Sequence, residues 1–412
     1  MQHRRHLDAA EEEIFEYSAT VPVIDTHEHI PGSEEDYVRH EITFSDLFCP
    51  YIVFDLVSAG MPSEHRSPIG FPLIECGWDE FEPYWNAVKH GSYARPLHIA
   101  LAELYGIDEL SGDNHAQALE RINAENAPGL FTRIFRERCN IETAVRCASD
   151  LPSAEGLLAG NINAPSMRAS AFANLEKIAQ EVDAEPLQSL DDLIEVSGPW
   201  MERQVANGAI EFKSKAMPVD VPSRKDAEPV FARLRREKTL SEEAVVPLAA
   251  YLRELEAAKA AELSVPLALH TGVWNDFRNL DVTDLIGFIQ RNPDTRMDIY
   301  HLGIPVVRPA LQIVKNYPNA YLNLCWAHIV AADMVVQTMR EAVDMVPLNK
   351  IFAFGADYVF FIEKIYGHLV VARENLSIVL AERVKRDLMD MSRAREILKS
   401  WLYDNPKAFY GL

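Results

Sequence analysis

The chain has 412 residues, 48% of them hydrophobic and 25% charged, a composition that fits a soluble globular protein and excludes a disordered one. Its 62 acids against 40 bases leave a formal net charge of -22, a field that repels phosphate backbones and anionic lipid and argues against nucleic-acid or membrane binding as the main task. Five cysteines, odd in number and without C-x-x-C spacing, suggest neither a disulfide framework nor a cysteine zinc knuckle, so a metal would have to use nitrogen and oxygen donors.

The polar start "MQHRRHLDAAEEEIFEY" lacks the apolar core of a signal peptide, and no segment approaches the roughly 20 apolar residues of a membrane span. The expectation is a cytoplasmic protein. The first apolar run, "VPVID" (21–25), leads directly into "THEHI", where His27 and His29 stand two positions apart. In an extended chain that spacing points Asp25, His27 and His29 to one side and Glu28 to the other.

Residues 38–138 then read as mainly helical, with "ARPLHIALAELYGI" and "AQALERINAEN" as clear pieces. After them come further short apolar runs at "IETAVRC" (141–147), "SMRASAF" (166–172), "GAIEFKS" (208–214), "VPLALH" (265–270), "MDIYH" (297–301), "AYLNLCW" (320–326) and "IFAFGAD" (351–357). Helical patterns separate the later ones. One falls in "TLSEEAVVPLAAYLRELEAAKAAEL", where Thr239 and Glu242 have capping-box spacing; others lie near 282–291, 307–316, 331–345, 368–382 and 392–403. Strand and helix in alternation predict an α/β fold, a (β/α)8 TIM barrel with a large mainly helical insertion after strand 1. The expected organisation is one barrel domain over 1–412, with 38–138 emerging at the C-terminal ends of the strands as a lid.

The chemistry gathers at the strand ends. His270, His301 and Asp357 each terminate an apolar run, where an imidazole or carboxylate costs free energy unless something pairs with it. A lone histidine in such a place is more often hydrogen-bonded to backbone, and a single H-x-H pair fits two ordinary histidines as well as a metal site. Four histidines and an acid, all at strand ends, call for a shared partner, and a divalent ion would be one.

These residues resemble the amidohydrolase superfamily of metal-dependent barrels: H-x-H, then lysine, histidine, histidine and aspartate on successive later strands. "FGADYVFFIEKIYGHLVVARENL" and "ILKSWLYDNPKAFYGL" resemble its amidohydrolase-2 branch, and the long insertion is similar to that of uronate isomerases. The resemblance implies that His27, His29, His270 and Asp357 are metal ligands, with Asp357 also taking a proton from the attacking water. It implies that His301 is either a ligand of a second ion or a group that orients water or substrate. Lys213 would bridge two metals after carboxylation, hold a substrate carboxylate, or simply end its strand.

Zinc is the expected ion, though manganese and iron accept the same donors. Trp274, Arg278, Trp326 and Tyr358 are candidates to line the mouth, while Asp25 would hydrogen-bond a ligand imidazole or serve as a cap. His368 and Arg373 read as surface residues of a helix. The reading is a metal-dependent hydrolase acting on an amide, ester or lactone bond of a small polar molecule, in a chain free to form a homo-oligomer. The alternatives are sugar-acid isomerisation of the uronate-isomerase kind and nonoxidative decarboxylation; a barrel that only binds ligand is the remaining rival.

Overall fold

Eight short strands follow one another round a barrel, each bonded in parallel to its sequence neighbour in a computed structural model that describes residues 3–67, 70–152, 156–272 and 276–412. They are β1 (Val23–Glu28), β2 (Ile141–Ala148), β3 (Leu158–Asn163), β4 (Ala209–Lys215), β5 (Leu267–His270), β6 (Met297–Ile299), β7 (Ala320–Asn323) and β8 (Ile351–Phe352). β8 is only two residues long as a ladder, yet the chain beyond it still pairs with β1. Thr26 N donates to Phe354 O at 3.1 Å, Asp357 N to His27 O at 2.8 Å and His29 N to Tyr358 O at 2.9 Å. These bonds close the cylinder where the site residues lie.

Gly355 lets the two ends come together. A Cβ there would lie 2.6 Å from Cys325 Cβ and 3.0 Å from His27 N, so no side chain fits. At the opposite end, the C-terminal helix Asn405–Tyr410 plugs the barrel, with Phe409 and Tyr410 packed among Ile24, Val145 and Phe352.

The third strand is a correction. "SMRASAF" is not extended: Pro165, whose fixed φ suits a first helical turn, opens a short helix over Pro165–Arg168. The strand lies earlier, at "LAGNIN", whose Gly and two Asn give little β propensity; ladders on both sides hold it instead. The helix before β5 is also capped differently. Ser241, not Thr239, accepts the hydrogen bond of Ala244 N and opens helix Glu242–Glu262, while Thr239 makes an isolated bridge to Ala171.

Between β1 and β2 the chain forms helices at Glu34–Val38, Phe44–Phe48, Ile52–Ser58, Trp78–Val88, Ala94–Tyr105 and His115–Glu125. The long helix Glu363–Lys385 runs against Ala94–Tyr105, which explains a second difference from expectation. His368 and Arg373 are buried on this helix, Arg373 donating to Cys139 O at 3.0 Å, because the helix has protein on both sides. Among the described residues, no helix is long and apolar enough to cross a membrane.

Candidate metal centre

His27 is fully buried at the end of β1, and its Nε2 lies 3.3 Å from Asp357 Oδ1. His29, two residues on, brings its own Nε2 to 3.5 Å from the same oxygen; 42% of its side chain stays open, so it faces the water of the mouth. His301 Nδ1 stands 4.0 Å from Asp357 Oδ2. Three imidazoles from two distant parts of the sequence thus converge on one carboxylate.

His270 joins this cluster through His301. Its Nδ1 lies 2.9 Å from His301 Nε2, while His301 Nδ1 lies 3.1 Å from the main-chain oxygen of Cys325. A carbonyl oxygen only accepts, so His301 carries its hydrogen on Nδ1 and its Nε2 accepts from His270. The outer nitrogen of His270, Nε2, is then a bare acceptor, buried and without a hydrogen-bond partner; Nδ1 of His27 also lacks one.

Burial holds all four rings in the neutral form. It pushes His27 and His270 well below the ordinary imidazole value, lowers His29, and brings His301 down to about 4 against the opposing pull of Asp357. Neutral imidazoles with free lone pairs beside a carboxylate form a donor set that suits a divalent ion, and the orphaned ring nitrogens are positions such an ion would satisfy. His27, His301 and Asp357 lie close enough to share one, as do His27, His29 and Cys147.

The backbone that presents these side chains is unusual. His301, Trp326 and Asp357, just beyond β6, β7 and β8, have φ of 66°, 62° and 64°, a region that residues with a Cβ seldom occupy. Strain of this kind persists where surrounding contacts over-determine it. At Asp357 two such contacts are Asp357 N to His27 O and the Tyr51 hydroxyl to Asp357 O, the latter at 2.5 Å.

Lys213, on β4, is buried below the histidines. Its Nζ lies 3.3 Å from His27 Nε2 and 4.0 Å from the centre of the Tyr300 ring. Further in, Asn161 Nδ2 and the Tyr300 hydroxyl both donate to Glu211 Oε2, at 2.6 and 2.8 Å, and the Tyr410 hydroxyl donates to Asp298 Oδ2 at 2.5 Å. Burial pushes the Asp298 carboxyl up to about 7 and Glu211 well above the carboxylate range. The floor of the site is therefore polar and hydrogen-bonded.

The mouth is a cavity of about 380 Å³ lined by His27, His29, His270 and Asp357, and also by Tyr51, Phe71, Cys147, Asn163 and Trp326. Trp326 lies there as expected. Arg278 does not: its side chain is 79% exposed and closes on Asp276 two residues away. Tyr358 is buried behind the wall, 5.8 Å from the Tyr51 ring. Trp274 falls outside the described residues.

Asp25 accepts from two main-chain groups, His27 N and Ala356 N, and does not reach an imidazole. Glu28 turns inward, accepting from Tyr358 N at 2.8 Å. Register shifts along β1 break the strict alternation that would have pointed it away. Sequence reasoning missed Tyr51, Cys147, Tyr300 and Glu211. Only Glu211 carried a signal, since it alternates with Lys213 on one strand.

Comparison with known proteins finds a similar family model and similar folds. Residues 216–412 match the family model described as Amidohydrolase. Protein fluG of Emericella nidulans is 27% identical over 165 residues, a match that spans 39% of this chain and 19% of the length of that curated relative. Among solved structures, uronate isomerase from Thermotoga maritima superposes with a TM-score of 0.77 at 16% identity over 98% of both chains. Glucuronate isomerase from Caulobacter crescentus gives 0.77 at 18% identity over 98% of this chain and 94% of that one. A Lactobacillus casei protein described as a metal-dependent hydrolase gives 0.66 at 15% identity over 97% of each.

Proposed function

We propose that this chain is a metal-dependent hydrolase of the amidohydrolase superfamily that opens an amide, ester or lactone bond of a small molecule, a reading supported by the family model that matches its C-terminal residues 216–412. The observation that carries this reading is the pair of imidazoles of His27 and His29 beside the Asp357 carboxylate, with His270 joined to them through His301 and buried ring nitrogens of His27 and His270 left unpaired. His27, His29, His270 and Asp357 would hold a divalent ion, zinc first among those that accept nitrogen and oxygen donors. Such an ion supplies Lewis acidity, polarising a carbonyl and bringing the ionisation of water toward neutral pH.

The remaining roles belong to the chain. Asp357 presents carboxylate oxygens at the cavity and takes the proton of the attacking water. His301 fixes the tautomer of His270 by accepting its Nδ1 hydrogen, which leaves Nε2 of His270 with a free lone pair. Lys213 lies near enough to His27 to tune it or to bridge a second ion. Residues 38–138, which bring Pro50, Tyr51 and Phe71 to the rim, act as a lid that excludes water.

A second reading, isomerisation of a sugar acid, is favoured by the near-complete superposition on two uronate isomerases. Metal analysis followed by a substrate screen separates the readings. The expected result is about one equivalent of metal or more and turnover of lactones, esters or N-acyl compounds; product from hexuronates alone would overturn hydrolysis.

A further inference from the structure

We propose that the substrate is neutral and carries a flat apolar group, which stacks against an aromatic wall on the lid side of the mouth; this rests on the hydrolase reading above. Tyr51 and Trp326 line the cavity, and Tyr93, behind them, packs against both. Tyr51 lies 5.0 Å from Trp326 at an interplanar angle of 29°, Tyr93 lies 6.1 Å from Trp326 at 8°, and Tyr51 and Tyr93 are 5.4 Å apart at 21°. Trp326 also meets His301 edge-on at 5.4 Å, so the wall abuts the imidazoles of the centre. Phe71, Pro50 and Val359 continue the apolar lining.

Charge selects in the same direction. Among the described residues, no Lys or Arg lines the cavity, and none of the residues outside that set is Lys or Arg. The nearby cations are turned elsewhere. Arg168 donates to Asn163 O and Ser149 O, Arg146 to Ile30 O and to Asp150, and Lys215 pairs with Glu242. Lys213 is buried beneath His27 rather than facing the mouth. Among the described lining residues a substrate carboxylate remote from the reacting carbonyl would lose its hydration and meet neutral donors such as the Asn163 amide, the Ser149 hydroxyl and the His29 imidazole, with no positive charge to offset the cost. A flat apolar group loses nothing there and gains ring stacking.

The test uses zinc-loaded protein and two metal-chelating probes, benzohydroxamate and the monohydroxamate of glucaric acid, titrated calorimetrically. The expected result is about tenfold or tighter binding of benzohydroxamate, a preference that falls to about twofold or less in Trp326→Leu and in the rim variant Phe71→Ala, with zinc retained in both. Equal or tighter binding of the anionic probe, a preference unchanged in both variants, or no binding of either probe by protein that holds its zinc would overturn the substrate class. Failure to hold zinc at all would instead sink the metal-centre reading, and this inference with it.

Discussion

The Tyr51 hydroxyl donates to the main-chain oxygen of Asp357 at 2.5 Å, so a residue of the inserted segment holds the backbone of the carboxylate on which the site converges. Asp357 needs such support, since its φ of 64° is a conformation it would readily leave. Tyr51→Phe keeps the ring stacked on Trp326 and removes this bond, leaving a buried carbonyl unpaired at a cost of about 1–3 kcal/mol. The expected outcome is a modest drop in melting temperature with a larger fall in kcat than rise in KM. Unchanged kinetics would show that the lid does not set the position of Asp357.

His29→Ala removes an imidazole that meets the His27 ring edge-on and stands open to water on 42% of its side chain. Barrel packing does not depend on it. Metal content after mild purification should fall at least about tenfold, as expected for loss of one ligand, and far-UV circular dichroism should stay as in the parent. A collapsed spectrum would mean that the ring is structural.

How much of this was legible beforehand follows from what each signal depends on. His270, His301 and Asp357 could be read because each ends an apolar run, and His27 because of its H-x-H spacing just after one, local patterns that survive folding. β3 could not, because Gly160, Asn161 and Asn163 have no local preference for a strand and are held extended by β2 and β4 on either side. Tyr51 could not either: it reaches Asp357 across 306 positions of sequence, and an isolated tyrosine in a helical segment carries no mark of its destination. Arg278 failed for the opposite reason. A polar loop residue after a site strand looked functional, yet Asp276 lay close enough to claim the guanidinium. The burial of His368 and Arg373 is not legible in the local pattern of Glu363–Lys385, because it comes from helices that pack on it from distant parts of the chain.

Acid should weaken the fold through His328. The ring is fully buried; its Nε2 donates to Ala353 O at 2.8 Å, and Nδ1 accepts from Asn375 Nδ2 at 3.2 Å. Burial lowers its pKa from 6.5 to about 4. Between those values the unfolded chain binds a proton that the folded chain refuses, so stability falls as pH falls through the window, by about 2–3 kcal/mol between pH 7.5 and 4.5 for this group alone. In His328→Gln, the difference in denaturant-derived stability between those two pH values should shrink by about that amount. An undiminished difference would assign the acid sensitivity to other groups.

Gly367 sets how closely the inserted segment approaches the barrel. A Cβ built there would fall 2.1 Å from the main-chain oxygen of Pro96 and 2.8 Å from its carbonyl carbon, so helices Glu363–Lys385 and Ala94–Tyr105 touch backbone to backbone at this point. Gly367→Ala improves local helix propensity by about 1 kcal/mol, which taken alone would stabilise the protein. Contact with rigid backbone outweighs that gain, because the two helices must separate or Glu363–Lys385 must shift, and overpacking of this kind costs about 1–3 kcal/mol or more. The expected outcome is a net loss of stability. Limited proteolysis should then cut first within 38–138, since those helices lose their seat while the strands keep their ladders. Equal or greater stability of Gly367→Ala would show that the two helices separate freely.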